Sequence, residues 1–240
     1  MSTQFADVGD PGAIQLVNQA QQDYVQRYVQ ANLPQYAQLP VLSVSAPFKL
    51  GFQGGADYTD VAAGPLALYN AADLYPYPNT VYAVQVNGAQ IKSWLEAAAQ
   101  RFNRIDPAAT ADQWLISSFP GYNFDMFTTA DMQYQIDVTH PVGSRIVDLQ
   151  YKGAPIDPAQ DFVIATNNYR ATSGKSFLPE LDGRATIYAS PNANRDVVIS
   201  YIQDHPQVPR AATGAAHSWR LATPPTAGQV LFTPAAHAPS

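Results

Sequence analysis

The order of helical and strand patterns along the chain is the feature that most constrains its fold. A helical period covers residues 11–32 and returns over residues 88–102. Further on, three strand patterns follow one another with no helical pattern between them, at 132–138, 145–151 and 161–165. Helices mixed with runs of adjacent strands are typical of an α+β architecture. We therefore predict mixed and antiparallel sheets flanked by helices.

The chain carries no internal repeat and no low-complexity linker, so we predict a single domain over residues 10–234. Residues 1–9 are polar and lack the apolar region of a signal peptide, and we expect them to form a leader segment outside the domain. Residues 235–240 are expected to form a frayed tail.

Two local patterns predict how the first helix and the later strands are arranged. Ile14, Val17 and Val25 recur at helical spacing with glutamines between them, which predicts an amphipathic helix whose glutamines lie on the side away from the core. Lys152-Gly153 is a turn signal, and we predict that it joins the strands at 145–151 and 161–165 as an antiparallel pair.

Composition excludes several classes of protein. The 240 residues include no cysteine, which rules out disulfides, thiolate zinc sites and cysteine nucleophiles. The net charge of −6 argues against a nucleic-acid polymer as partner, because such binding needs a basic face. No apolar run is long enough to span a bilayer, so no membrane partner is expected.

Motifs for catalysis are also missing. The four histidines are scattered, without the spacing of metal ligands, and the nucleophile patterns of hydrolases do not occur. The segment 173–176 resembles the end of a phosphate-binding loop, but Tyr169 stands where that motif needs glycine. A pair of carboxylates from distant parts of the chain stays an open alternative, with no pattern in its favour. We therefore expect no catalytic residue and no metal or cofactor bound by this chain.

Two of the 14 tyrosines occur where strands meet loops. Tyr77 lies between two prolines just before a strand pattern, and Tyr169 follows a buried strand pattern. Loops at strand ends commonly carry ligands, because the strands below hold them in place. Stacking on aromatic rings is worth roughly 1–3 kcal/mol per base and needs no positive charge. The two tyrosines together therefore predict a clamp for a flat ligand, although each one alone fits packing in a core or an interface better.

Four segments of the chain form a recognisable set, namely LSVSAPFK at 42–49, DLYPYPNT at 73–80, FPGYNFD at 119–125 and TNNYR at 166–170. Together they resemble the C-terminal domain of the 5′-nucleotidase family, and within it the 2′,3′-cyclic-nucleotide 2′-phosphodiesterase/3′-nucleotidase branch. This resemblance implies an α/β/β/α arrangement of layers. The likeness extends from about residue 10 to residue 234, with the motifs in family order.

The resemblance implies a substrate-specificity domain and assigns roles to its residues. Tyr77 and Tyr169 should stack on a nucleobase, and Ser45 and Lys49 belong to a loop that holds polar parts of the substrate. Asn79 and Asn168 are expected near the rim of the base pocket, and Arg170 is a further expected substrate-binding residue. Tyr122 and Phe124 border this region, with packing in the core as their expected role. Lys175 stands in a loop where 5′-nucleotidases carry an aspartate, which fits the phosphodiesterase branch better.

The same resemblance implies partners outside this sequence. Family members carry a pair of divalent metal ions on an N-terminal metallophosphoesterase domain, whose motifs do not occur here. The expected partners are therefore a nucleotide or nucleoside and that N-terminal domain of the same polypeptide. The expected location is the periplasm or the outside of a bacterial cell. Two alternatives stay open, namely a non-catalytic extracellular binding module and a self-sufficient hydrolase with an unrecognised site.

Overall fold

The computed structural model describes residues 1–51, 57–173, 178, 181, 185–205, 207–208, 217–222 and 224–233. The described helices are α1 (Gly12–Asn32), α2 (Leu68–Leu74), α3 (Gly88–Ala98), α4 (Asn168–Ser173) and α5 (Asn194–Asp204). The first described strands are β1 (Val41–Ser45), β2 (Thr80–Asn87), β3 (Gln113–Trp114), β4 (Met126–Phe127), β5 (Met132–Ile136) and β6 (Ile146–Tyr151). They are followed by β7 (Ala154–Pro155), β8 (Asp161–Asn167), β9 (Thr186–Ala193), β10 (Trp219–Leu221) and β11 (Val230–Leu231).

These elements form mixed sheets flanked by helices, and the predicted α+β class is confirmed. A five-stranded sheet has the order β4-β1-β8-β2-β9, and a four-stranded sheet has the order β10-β5-β6-β7. One face of the larger sheet packs on α1, α2 and α5 through one hydrophobic cluster. Its other face packs on α3 and the smaller sheet through a second cluster. The larger sheet therefore lies between two cores.

The turn at Lys152-Gly153 is present, but the predicted pairing across it is wrong. Both residues have positive φ, at 52° and 77°, as a tight hairpin turn requires. The turn joins β6 to the two-residue strand β7, whereas β8 lies in the other sheet between β1 and β2. β8 is buried on both faces from Phe162 to Thr166, and such a strand belongs in the middle of a sheet.

The predicted first helix is confirmed as α1, but the prediction that its glutamines face away from the core is wrong for Gln15 and Gln21. Gln15, Asn18 and Gln21 are fully buried. The Gln21 amide donates to Ser43 Oγ at 3.0 Å, and the Asn18 amide donates to the carbonyl of Met126 at 2.9 Å. These side chains satisfy polar groups of β1 and β4, so α1 is attached to the sheet by hydrogen bonds as well as by apolar contacts.

Residues 1–9, which the sequence suggested were outside the domain, lie against it in the structure. The Ala6 side chain is fully buried in the core beside the smaller sheet. The Asp7 carboxylate accepts two hydrogen bonds from the Arg101 guanidinium, at 2.8 and 2.7 Å, and both side chains are buried. The expected tail at 235–240 lies outside the described residues. None of the described helices has the length and apolar character needed to cross a membrane.

Candidate functional site

The candidate site lies at one edge of the five-stranded sheet, where four chain segments meet. β1 and β8 are parallel, with Ser43 opposite Ala165, so both strands end at this edge. β2 and β4 begin there, because each is antiparallel to one of those two strands. The segments are therefore those after β1 and β8 and those before β2 and β4. Carboxyl ends of parallel strands are a common place for ligands in such sheets.

Tyr77 stands on a packed aromatic base at this edge. Its side chain is 45% exposed, whereas Tyr75, two residues earlier, is fully buried. Phe48, from the segment after β1, packs edge-on against both rings, with centroid distances of 4.8 Å to Tyr75 and 5.1 Å to Tyr77. The two flanking prolines restrict the backbone further. Phe48 thus packs against one side of the Tyr77 ring, while the rest of the ring remains exposed to solvent.

The Tyr75 phenol links the segment before β2 to the end of β8. Its oxygen accepts hydrogen bonds from the side-chain amides of Asn167 at 3.0 Å and Asn79 at 3.4 Å. Burial raises the pKa of Tyr75 to about 12 and outweighs these two hydrogen bonds, which lower it. The phenol is therefore neutral at physiological pH and serves as a structural acceptor.

Tyr169 lies on α4, directly after β8, and is 49% exposed. Asn168, its neighbour, accepts a hydrogen bond from the backbone N–H of Thr80 at 3.1 Å. This bond connects the segment that carries Tyr169 to the start of β2, three residues after Tyr77. The structure therefore brings both predicted tyrosines to one sheet edge as half-exposed rings. Asn79 and Asn168 lie there too, and their side chains hold the site together.

Arg170 lies beneath the site rather than at its surface. The residue is only 4% exposed, and its guanidinium pairs with the buried carboxylate of Asp125 through Nε at 2.7 Å and Nη2 at 3.0 Å. Trp94 Nε1 donates to the same carboxylate at 2.6 Å. Burial raises the pKa of Asp125, and Arg170 and Trp94 offset part of that rise. A direct polar contact of Arg170 with a ligand, as the sequence implied, finds no support in this burial.

Sequence reasoning did not identify Asp125, although a signal for it was present. The residue is a carboxylate directly after Phe124, within a segment rich in aromatic and apolar side chains. A carboxylate buried in such surroundings needs a charged or hydrogen-bonding partner. Arg170 is that partner, but it is 45 positions away in the sequence and only the fold shows the pairing.

The end of β1 contributes Ser45, and the segment after β1 contributes Lys49. Lys49 is partly exposed and forms an ion pair with Asp73 of α2, so its charge is compensated within the domain. Ser45 is 3% exposed, and its hydroxyl has no hydrogen-bond partner among the described residues. Both residues lie where β1 ends, at the same edge of the sheet as the two tyrosines, while neither presents a free charge to a ligand.

The two aromatic residues predicted to pack in the core differ in position. Phe124 is buried and packs edge-on against Phe102 and Trp219, at 5.2 and 5.4 Å between ring centroids, as expected. For Tyr122 the prediction is wrong, because its side chain is 44% exposed. It follows Gly121 in a short 3₁₀ turn just before β4, which places it at the site edge.

Other predicted features cannot be placed or are not grouped. Lys175 and the rest of the loop at 174–177 lie outside the described residues. Within the part of the chain that the structure describes, no three histidine or acidic side chains come together as a metal site would require.

Comparisons with known proteins define the family. Residues 3–181 match the model of the 5′-nucleotidase C-terminal domain, and the chain belongs to that family. It is 42% identical over 236 residues to the 2′,3′-cyclic-nucleotide 2′-phosphodiesterase/3′-nucleotidase of Yersinia enterocolitica, covering 90% of this chain and 35% of the relative. It is 40% identical to the trifunctional nucleotide phosphoesterase protein YfkN of Bacillus subtilis, covering 91% of this chain and 15% of that protein.

A solved structure shows the same fold at low sequence identity. The 5′-nucleotidase precursor of Thermus thermophilus superposes with a TM-score of 0.62 at 15% identity, over 91% of this chain and 38% of the other. The chain thus spans between 15% and 38% of the length of these relatives. The resemblance predicted from the four sequence segments is confirmed, including the branch in which relatives are about 40% identical.

Proposed function

We propose that this chain is the substrate-specificity domain of a nucleotide phosphohydrolase and that Tyr77 and Tyr169 stack on the nucleobase of its substrate. The observation that carries the proposal is the pair of half-exposed rings mounted at one sheet edge. In a chain with 13% charged residues, exposed aromatic rings on rigid supports provide a binding surface that needs no electrostatic attraction.

The remaining predicted residues would line and support the base site. The side-chain amides of Asn79 and Asn168 would line the rim of the base site, where they also connect its loops. The Ser45 hydroxyl, at the end of β1, and the Lys49–Asp73 pair would line another side of the site. Arg170 would support the site from beneath, through its buried pair with Asp125. The substrate class that fits these features, together with the relatives' names, is a 2′,3′-cyclic or 3′-nucleotide.

Hydrolysis itself would need a further domain. A pair of divalent metal ions on an N-terminal metallophosphoesterase domain of the same polypeptide would supply water activation and charge stabilisation at phosphorus. This chain would hold the base and ribose so that the phosphate reaches that domain, and its contribution is proximity and orientation. The chain alone would be inactive, and the whole enzyme would act in the periplasm or outside the cell in nucleotide catabolism.

A titration with adenosine and 3′-AMP, followed by NMR or tyrosine fluorescence, tests the proposal. Tyr77→Ala and Tyr169→Ala should each weaken binding by roughly 5- to 150-fold, because each removes about 1–3 kcal/mol of stacking. Tyr69→Ala is the matched control, since Tyr69 is a 73% exposed tyrosine on the outer side of α2. Unchanged affinity in both site variants would contradict stacking by these tyrosines and would favour a binding module that lacks this clamp. Turnover by the isolated chain in the presence of chelator would indicate a self-sufficient hydrolase.

A further inference from the structure

The buried carboxylate of Asp125 connects two of the segments that surround the candidate site and joins them to α3. It lies just before β4, it receives the Trp94 indole N–H from α3, and it pairs with Arg170 of α4. Both charged side chains are about 5% exposed or less. A buried pair of this kind contributes little net stability, because the cost of removing two charges from water offsets their attraction.

Arg170 extends this connection to the loop that carries Tyr122. Its guanidinium donates to the carbonyl of Tyr122 at 3.2 Å and to Oδ1 of Asn123 at 3.3 Å. The backbone N–H of Arg170 donates to Oδ1 of Asn167 at 2.8 Å. Arg170 is thus fixed at both ends, by the end of β8 and by the segment before β4. The carboxylate of Asp125 orients the planar guanidinium of Arg170 through this charged pair.

The same guanidinium lies against Tyr169. Its central carbon is 5.9 Å from the centroid of the Tyr169 ring, on one face of that ring. A cation at this distance interacts favourably with an aromatic face. A nucleobase that stacks on Tyr169 would therefore use the other face, and the position of the guanidinium sets the ring plane.

We infer that Asp125 is a positioning residue for nucleobase binding: through Arg170 it fixes the ring plane of Tyr169. Asp125 itself is buried and does not touch the ligand. The inference rests on the proposed function, since it assigns a purpose to the pair only if Tyr169 stacks on a base.

A double-mutant cycle tests the route through Tyr169. Asp125→Asn keeps the size of the side chain and removes the charge that orients Arg170. We expect it to weaken adenosine binding about tenfold in the wild-type background, as coupled neighbouring residues commonly do. In the Tyr169→Leu background the same substitution should change affinity less than about twofold, because the ring that it positions is gone. NMR titration is suited to the weaker complexes.

Glu96→Gln is the matched control. Glu96 is another buried carboxylate, which accepts hydrogen bonds from the backbone N–H groups of Arg145 and Ile146 on the far side of α3. Its substitution should lower the melting temperature as Asp125→Asn does, yet leave adenosine affinity unchanged. If Asp125→Asn does not fold, Arg170→Lys takes its place in the cycle, because lysine keeps the positive charge but lacks the planar guanidinium that makes two parallel hydrogen bonds.

The outcomes separate this inference from the proposed function. If the wild-type chain binds adenosine and Tyr77→Ala weakens binding, the proposed function stands and only the role of Asp125 is in question. Equal losses from Asp125→Asn in both backgrounds, or no loss in either, would overturn the positioning role. If the wild-type chain does not bind adenosine at all, the proposed function and the inference fall together.

Discussion

At the scale of single residues, the site combines rings that the sequence predicts with supports that it does not. The prolines around Tyr77 and the strand pattern before Tyr169 mark both rings as candidates, because such junctions present side chains to solvent. The burial of Tyr75 and the exposure of Tyr77 could not be predicted, since each tyrosine is followed by a proline in the same short segment. Burial of Tyr75 depends on Phe48 and Asn167, which come from distant parts of the chain.

The raised pKa of Tyr75 predicts a loss of stability at alkaline pH. The phenol stays protonated in the folded protein up to about pH 12, whereas a tyrosine in the unfolded chain ionises near pH 10. The free energy of unfolding should therefore fall as pH rises from about 10 to about 12, by at most about 2–3 kcal/mol from this group. Urea denaturation at a series of pH values measures this.

Tyr75→Phe is the variant that isolates this effect. It removes the ionisable hydroxyl, so the alkaline fall in stability should be smaller than in the wild-type protein. At neutral pH the variant should be about 1–2 kcal/mol less stable, because the amides of Asn167 and Asn79 lose their acceptor. An alkaline slope equal to that of the wild-type protein would show that other tyrosines cause the loss.

At the scale of elements, local patterns predicted helices and strands well but could not predict partners. α1 and α3 follow from helical periodicity, and β2, β6 and β8 from runs of strand-forming residues. Pairing depends on contacts between distant segments, which is why the neighbours of β8 were predicted wrongly. Gln21 of α1 was misjudged for the same reason, since its acceptors Ser43 and Val44 are on β1.

The buried face of α1 predicts different consequences for two glutamines of the same helix. Gln21 donates to Ser43 Oγ and to the carbonyl of Val44, and accepts from the Asn194 amide at 2.6 Å. Gln21→Ala should cost about 2 kcal/mol of stability, because these buried groups lose their partner. Gln26 is exposed, and Gln26→Ala should stay within about 0.5 kcal/mol of the wild-type protein. Similar losses in the two variants, measured by urea denaturation, would contradict this account of α1.

At the scale of the whole molecule, the low charge fits the proposal that this domain binds the base while another domain binds the phosphate. A domain that grips the base by stacking and leaves the phosphate to metal ions elsewhere has no need for a basic surface. Lys49, the lysine that the structure describes in the site region, is already paired with Asp73. This view could be reached from the sequence because the four family segments lie in order, while the supporting role of the Asp125–Arg170 pair required the fold.

Isothermal titration calorimetry with three ligands tests this central claim most directly. The isolated chain should bind adenosine and 3′-AMP with dissociation constants within about threefold of each other, since the base supplies most of the affinity. Ribose phosphate, which lacks a base, should show no binding at the same concentrations. Binding of ribose phosphate as tight as that of 3′-AMP, with adenosine left unbound, would contradict a domain that recognises the base by stacking.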